Sequence, residues 1–233
     1  MAPMLQSNGY HVWALDMKGF GWSDKPEDAD YSPEQLLREV NAWMDEMGLG
    51  KVVFVGNSLG GGIAWEMALT HPDKVKQLVL IDAAGFMHQV PGPVRLAGLP
   101  GASSVGRIFL SRWMIQDGLK QVYFDPALIR TEQVDAYYNR LRTQNALGAL
   151  TSLAQSLSTL PSEQYASRIA EIQVDTLIIW GRDDAWIPQE IAFKFKEALP
   201  KARLEVIPFC GHIPQEENPE ETARLIMEFV AKK

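Results

Sequence analysis

Five short stretches of the chain are almost continuously apolar, rich in β-branched residues and closed off by Gly, Asp or Pro. They are Tyr10 to Asp16, Lys51 to Gly56, Gln77 to Asp82, Asp175 to Gly181 and Ala202 to Pro208. Strict alternation would mark strands wetted on one face, whereas unbroken runs predict strands of a mostly parallel sheet covered by helices on both faces. Between these runs apolar positions recur at helical spacing. Ser32, Pro33 and Gln35 supply an N-cap, a first-turn proline and a capping-box partner ahead of Leu36, Leu37, Val40, Trp43, Met44 and Met47. Gly48 and Gly50 predict the end of that helix. Gln189 to Leu199 predicts a helix between the last two strands. Asn218, Pro219 and Glu221 open a final helix through Leu225, Ile226, Phe229 and Val230, with Lys232 and Lys233 at the negative end of its dipole. Strands and helices alternate, so the predicted class is α/β.

The stretch from 86 to 168 breaks this rhythm. It opens rich in Pro and Gly and continues with helical patterns around Ile108 to Ile115, Thr131 to Leu141 and Leu147 to Leu160, with no strand pattern. So long a segment is not a plain loop. The expected organisation is a core of residues 1–85 and 169–233 interrupted by a helical cap, 86–168. Neither an internal repeat nor a low-complexity segment is present.

Composition narrows the function classes. The chain has 233 residues, 46% of them hydrophobic and 22% charged, enough apolar side chain for a sizeable core. The net charge of -7 repels phosphate backbones and anionic lipid heads, so neither nucleic acid nor membrane is the expected partner. A single cysteine, Cys210, forms no internal disulfide, and the first residues lack a basic region followed by a long apolar one. The expected location is cytoplasmic.

Candidate chemistry begins at VVFVGNSLGGGIAWEMAL, which runs strand, tight turn, helix around Gly56-Asn57-Ser58-Leu59-Gly60. The glycines allow a strained turn that presents the Ser58 hydroxyl above the strand end, and the following helix aims free N–H groups and its positive dipole end at the same place. No Walker-type lysine accompanies the turn. A serine hydroxyl is a weak nucleophile near neutral pH and needs a histidine to accept its proton and an acid to hold that histidine. Of His11, His71, His88 and His212, the last follows the final strand behind a glycine, in a loop leaving a strand's C-terminal end, where open α/β sheets gather their sites. Asp183 and Asp184 after the fourth run, and Asp82 after the third, are the candidate acids; carboxylates in such loops also serve as caps and bridges. Phe20, Trp22, Phe124, Tyr137 and Tyr138 either line an acyl pocket or fill the core, and Trp113 and Trp186 are the substrate-binding candidates. Cys210 is expected to be a buried structural residue, and the run EENPEE a solvated helix start. Histidines and carboxylates show no metal-ligand spacing, so no metal and no cofactor are expected.

The motifs DMKGFGWSDKP, VGNSLGGG, WGRDDAWIP and CGHIPQEENPEE together resemble the α/β-hydrolase superfamily over essentially the whole chain. The resemblance implies Ser58 as nucleophile, His212 as base, Asp184 as orienting acid within Gly181-x-x-Asp184-x-x-x-Pro188, and the Leu59 N–H as one oxyanion donor. The GNS and CGH forms look closest to capped esterases and meta-cleavage-product C–C hydrolases. Haloalkane dehalogenases and epoxide hydrolases share the fold but use an aspartate nucleophile, and Ser58 stands in its place. The implied activity is hydrolysis of a small or medium carboxylic ester through an acyl-enzyme. The alternatives are C–C bond hydrolysis of a meta-cleavage product, and a weak or silent ligand-binding member. Family members carry three further strands at the start and a His-Gly loop that supplies a second oxyanion donor, which this chain does not match. Three expectations follow: the chain is part of a longer protein, its first two strands close the gap, or another chain fills it, for instance in a homo-oligomer.

Overall fold

The computed structural model describes all residues except 87–89, 160–165 and 232–233. Four strands, β1 (Val52–Asn57), β2 (Val75–Ile81), β3 (Thr176–Gly181) and β4 (Arg203–Ile207), form one parallel sheet in the order β1-β2-β3-β4. The expected burial on both faces holds for the two central strands, whereas the edge strands β1 and β4 are mostly half-buried and Val55 is exposed. On β2 and β3, Leu78, Leu80, Ile178 and Trp180 enter the core on one face of the sheet. Val79, Ile81, Leu177 and Ile179 enter a second core on the opposite face. Both sides of the pleat are thus dry, and the period-2 polar signal disappears.

The Leu59–Thr70 helix lies against β1 and β2, Glu190–Ala198 against β3 and β4, and Pro219–Ala231 packs on β3 beside Ala2–Ser7. Helix ends follow the local rules. Ser32 Oγ accepts from Gln35 N at the start of Pro33–Glu46, although Gln35 does not reciprocate: the Ser32 N–H goes to Asp30 Oδ1 instead. At the other end Leu49 N bonds Met44 O and Gly48 N bonds Asp45 O, with Gly48 at φ +63°, a Schellman closure. Asn218 caps the last helix through Glu221 N; the two terminal lysines lie outside the described residues.

Two expectations fail. Tyr10 to Asp16 forms no strand: the segment joins no ladder, and Trp13 and Leu15 are exposed. An apolar run is a strand only when a neighbour accepts its N–H groups, and here it lies apart from β1, so the two do not close the gap. The helix around Ile108 to Ile115 is in fact two, Ala102–Phe109 and Arg112–Lys120. Ser111, extended at φ -142°, restarts the chain by capping Met114 N.

Between β2 and β3 lie, among the described residues, the α-helices Gly92–Ala97, those two, Thr131–Leu141 and Ala146–Thr159, with short 3-10 turns at Pro126–Leu128 and Arg168–Glu171. Ile115, Leu119, Val122, Tyr123 and Val134 form a small core of their own, which Ile213 from beyond β4 completes. No helix among the described residues is long and apolar enough to cross a membrane.

Candidate active site

The site sits at the carboxyl ends of the strands, where the register places Asn57 beside Ile81 and Gly181 beside Ile207. Ser58 follows β1 directly in a left-handed conformation, φ 52° and ψ -120°, a strained geometry for a residue with a Cβ. Three backbone bonds hold it there: its N–H reaches Ile81 O, and its carbonyl accepts from Gly62 N and Ala84 N. Close packing dictates one glycine of the Gly-x-Ser-x-Gly turn. A Cβ on Gly56 would lie 2.1 Å from Gly60 O, while one on Gly60 would meet nothing. The second tight approach is at Gly61, where a Cβ would lie 2.4 Å from Ala83 Cβ. Leu59 opens the following helix, so its N–H lies in the first turn, which lacks intrahelical acceptors.

His212 Nδ1 lies 2.7 Å from Asp184 Oδ2, and both residues are buried. A carboxylate only accepts, so the ring carries its proton on Nδ1 and leaves Nε2 as the acceptor. Asp184 is itself fixed: Trp186 N and Ile187 N donate to Oδ1 at 2.7 and 2.9 Å. Asp183 instead accepts from Phe209 N, the bridging role considered for it. His11 stacks on Trp13, His71 contacts Thr70, and His88 lies outside the described residues.

Ser58 and Leu59 line a cavity of about 500 Å³ with Phe20, Ile63, Trp186 and Leu153 among its apolar walls. Arg95 is the one charged side chain among the described lining residues. Trp186 also lies over His212, ring centroids 5.5 Å apart, and its buried Nε1 has no hydrogen-bond partner. Trp113 does not reach the cavity. It stands 70% exposed on the Arg112–Lys120 helix, because that helix turns Ile115 and Leu119 inward instead.

Three residues that the sequence did not single out for these roles hold the site together. Asn57 Nδ2 donates to His212 O at 3.0 Å and to Ile81 O at 3.1 Å, and Asn57 Oδ1 accepts from Gln215, so the residue next to Ser58 ties the end of β2, the histidine loop and the short helix Pro214–Glu217 together. Glu217 is buried, in contrast to the solvated start expected for its acidic run. Its carboxylate accepts from Gly211 N at 2.6 Å and Asp125 N at 2.8 Å, joining the histidine loop to the helical segment. In the same seam His212 N bonds Val122 O, and a Cβ on Gly211 would strike that oxygen. Only the glycine before His212 carried any of this in the sequence.

The third is Asp82, fully buried at φ 41° with Oδ1 accepting from Gly181 N. Its Oδ2 is buried without a partner. Burial, and then the Asp184 carboxylate, push Asp82 well above the ordinary carboxylate range, which favours its protonated form beneath the pair. Asp82, Asp184 and His212 offer ligand atoms within 4.8 Å of one another. The 2.7 Å approach of His212 Nδ1 to Asp184 Oδ2 is that of a hydrogen bond. Burial raises the Cys210 thiol as well, keeping it protonated.

A family model described as the alpha/beta hydrolase fold matches residues 1–219. Over 230 residues the chain is 31% identical to the 2-hydroxymuconate semialdehyde hydrolase of Pseudomonas putida, covering 95% of this chain and 77% of that protein. Among solved structures it resembles the meta-cleavage product hydrolase CumD of Pseudomonas fluorescens IP01, a mutant complexed with acetates. There the TM-score is 0.80 and the identity 27%, over 96% of this chain and 80% of that one. A serine hydrolase involved in carbazole degradation, the CarC enzyme, matches with a TM-score of 0.78 and 25% identity, over 93% and 78% of the two chains.

Proposed function

The chain belongs to the α/β-hydrolase family, and from that membership we propose that it is a serine-dependent hydrolase using Ser58, His212 and Asp184. The observation that carries this is the buried His212 to Asp184 contact at 2.7 Å, beside a cavity lined by a serine held in a strained turn. Ser58 Oγ attacks the substrate carbonyl while His212 Nε2 takes its proton; Asp184 holds the ring and stabilises the imidazolium. The Leu59 N–H donates to the oxygen that becomes negative. The imidazolium then protonates the departing group, and a water activated by the same ring releases the acid. Trp186 walls the substrate. The helices of 86–168 act as a cap over a core of 1–85 and 169–233, excluding water from the acyl-enzyme.

For the substrate, the relatives favour C–C hydrolysis of a ring-fission product over cleavage of a simple ester. In such a compound a ketone is joined through carbon to a conjugated 2-hydroxydienoate. Once the dienol has taken up its keto form, the electron pair of the broken C–C bond is delocalised onto the 2-oxo group, so carbon becomes a feasible leaving group. Water supplies OH to the acyl carbon and H to the departing fragment. Arg95 is the cationic wall residue suited to the dienoate carboxylate. The otherwise apolar lining supports ester cleavage as a second reading.

The test is turnover of a 2-hydroxy-6-oxo-dienoate, followed by loss of its absorbance, beside a nitrophenyl ester. C–C cleavage predicts a kcat/KM for the dienoate at least about tenfold above the ester, with Ser58→Ala lowering kcat for both by about 10⁴-fold or more. Ester turnover alone overturns the C–C reading, and undiminished turnover by Ser58→Ala overturns serine catalysis.

A further inference from the structure

The net charge of -7 conceals an uneven distribution. Residues 83–116 contain Arg95, Arg107 and Arg112 and not one Asp or Glu, while the rest of the chain sets nineteen basic residues against twenty-nine acidic ones. This basic stretch carries the helices Gly92–Ala97 and Ala102–Phe109 and the start of Arg112–Lys120.

The Ala102–Phe109 helix is packed inside out. Its inward side is small: Gly106 sits against Leu147, where even a Cβ would come within 3.3 Å of Leu147 Cδ1. The bulky residues Val105, Ile108 and Phe109 share the other side, at the i, i+3, i+4 spacing of one helical face, and Ile108 is 76% and Phe109 66% exposed. Leu96 and Leu99 before the helix and Trp113 after it are exposed as well. Single exposed apolar residues are ordinary, but six within eighteen positions mark a binding surface. Val94 and Arg95, on the preceding helix, line the cavity that holds Ser58.

Charge selects the occupant. A two-fold pairing of this face with a second copy would bring Arg107 of each chain toward the same cation of the other. An anionic phospholipid surface offers both things the face requires, an acyl boundary for Ile, Phe and Trp and phosphates for arginine. Arg112 pairs with Asp135 and lies 4.6 Å over the Tyr138 ring, which leaves Arg107, beside Ile108, as the central cation.

We propose that this face docks on the surface of an anionic phospholipid bilayer, carrying the cavity wall formed by Val94 and Arg95 to the lipid boundary. The docked chain lies on the membrane and does not span it. The inference rests on the distribution of exposed side chains and is independent of which bond is cleaved at Ser58.

The test is flotation of the full chain with vesicles of phosphatidylcholine containing about 30% phosphatidylglycerol, beside vesicles of phosphatidylcholine alone. Binding to the anionic vesicles should be at least about tenfold tighter and should weaken as salt is added. The double variant Ile108→Ser/Phe109→Ser should lose about tenfold or more of that binding while its turnover of a water-soluble substrate and its melting temperature stay at the parent values. Arg107→Glu should weaken binding to anionic vesicles only. The proposal is overturned by absence of binding at low salt, by equal binding of the double variant, or by a dimer in size-exclusion chromatography that the double variant dissolves.

Discussion

Replacing Asp82 by Asn tests the charge state at the bottom of the site. Native Asp82 is fully buried, with Oδ2 unpartnered and the Asp184 carboxylate close by, and Glu217 adds a second negative field. Cys210 and His212 are the other titratable groups around it, and neither bonds its Oδ2. In the unfolded chain Asp82 loses its proton near the ordinary value of 3.8; in the native state burial and Asp184 make it retain that proton to well above this. Between the two values the native state binds one proton more than the unfolded state. Unfolding free energy therefore falls as pH rises, by about 1.4 kcal/mol per pH unit from this residue alone. The Asp82→Asn variant lacks the term, keeps an oxygen for Gly181 N and offers an amide donor to Asp184. Its stability relative to the parent should thus climb by about 1.4 kcal/mol for each pH unit above about pH 5, then level off where native Asp82 finally ionises. Urea denaturation of both proteins at a series of pH values reads this difference, and contributions from other groups largely cancel. A difference that stays constant with pH would refute the neutral acid and show that Asp82 ionises natively as it does in water.

Three further outcomes follow from the same geometry. Gly56→Ala should destabilise by more than about 2 kcal/mol, since its Cβ would overlap Gly60 O; Gly60→Ala in the same turn should be neutral or stabilising by up to about 1 kcal/mol, and thermal melts compare them directly. Asn57→Ala removes the bonds to His212 O and Ile81 O and should lower kcat/KM about 10- to 100-fold while costing about 1–3 kcal/mol in stability; a stability loss with unchanged kcat/KM would deny it a positioning role. Glu217→Ala strands the buried N–H groups of Gly211 and Asp125 and should cost about 2–5 kcal/mol, whereas Glu217→Gln, which retains one acceptor, should recover part of that in a denaturant titration.

Much of this molecule was written locally. The strands β1 to β4, the Ser32 cap, the Gly48 closure and the strand-turn-helix around Ser58 depend on residues within a few positions of one another, so their patterns survive in one dimension. The order of Ser58, Asp184 and His212 was legible for a related reason: each follows a strand end, and parallel strands bring their carboxyl ends to one rim. The absence of acids from 83–116 gains meaning only from the structure, which turns Ile108 and Phe109 outward beside Arg107.

Tertiary structure decided whatever depends on a distant neighbour. Tyr10 to Asp16 has the pattern of a strand and is none, because a strand is defined by its partner's hydrogen bonds as much as by its own side chains. Trp113 and Trp186 were both candidates for the substrate wall, and packing sends one to solvent and the other over His212. Asp82 read as one of three candidate acids and Glu217 as part of a solvated run, yet burial pushes the first well above the ordinary carboxylate range and makes the second an acceptor for two backbone amides. Desolvation sums over every atom that folds against a group, and those atoms come from segments more than ninety residues away, so no local pattern encodes it.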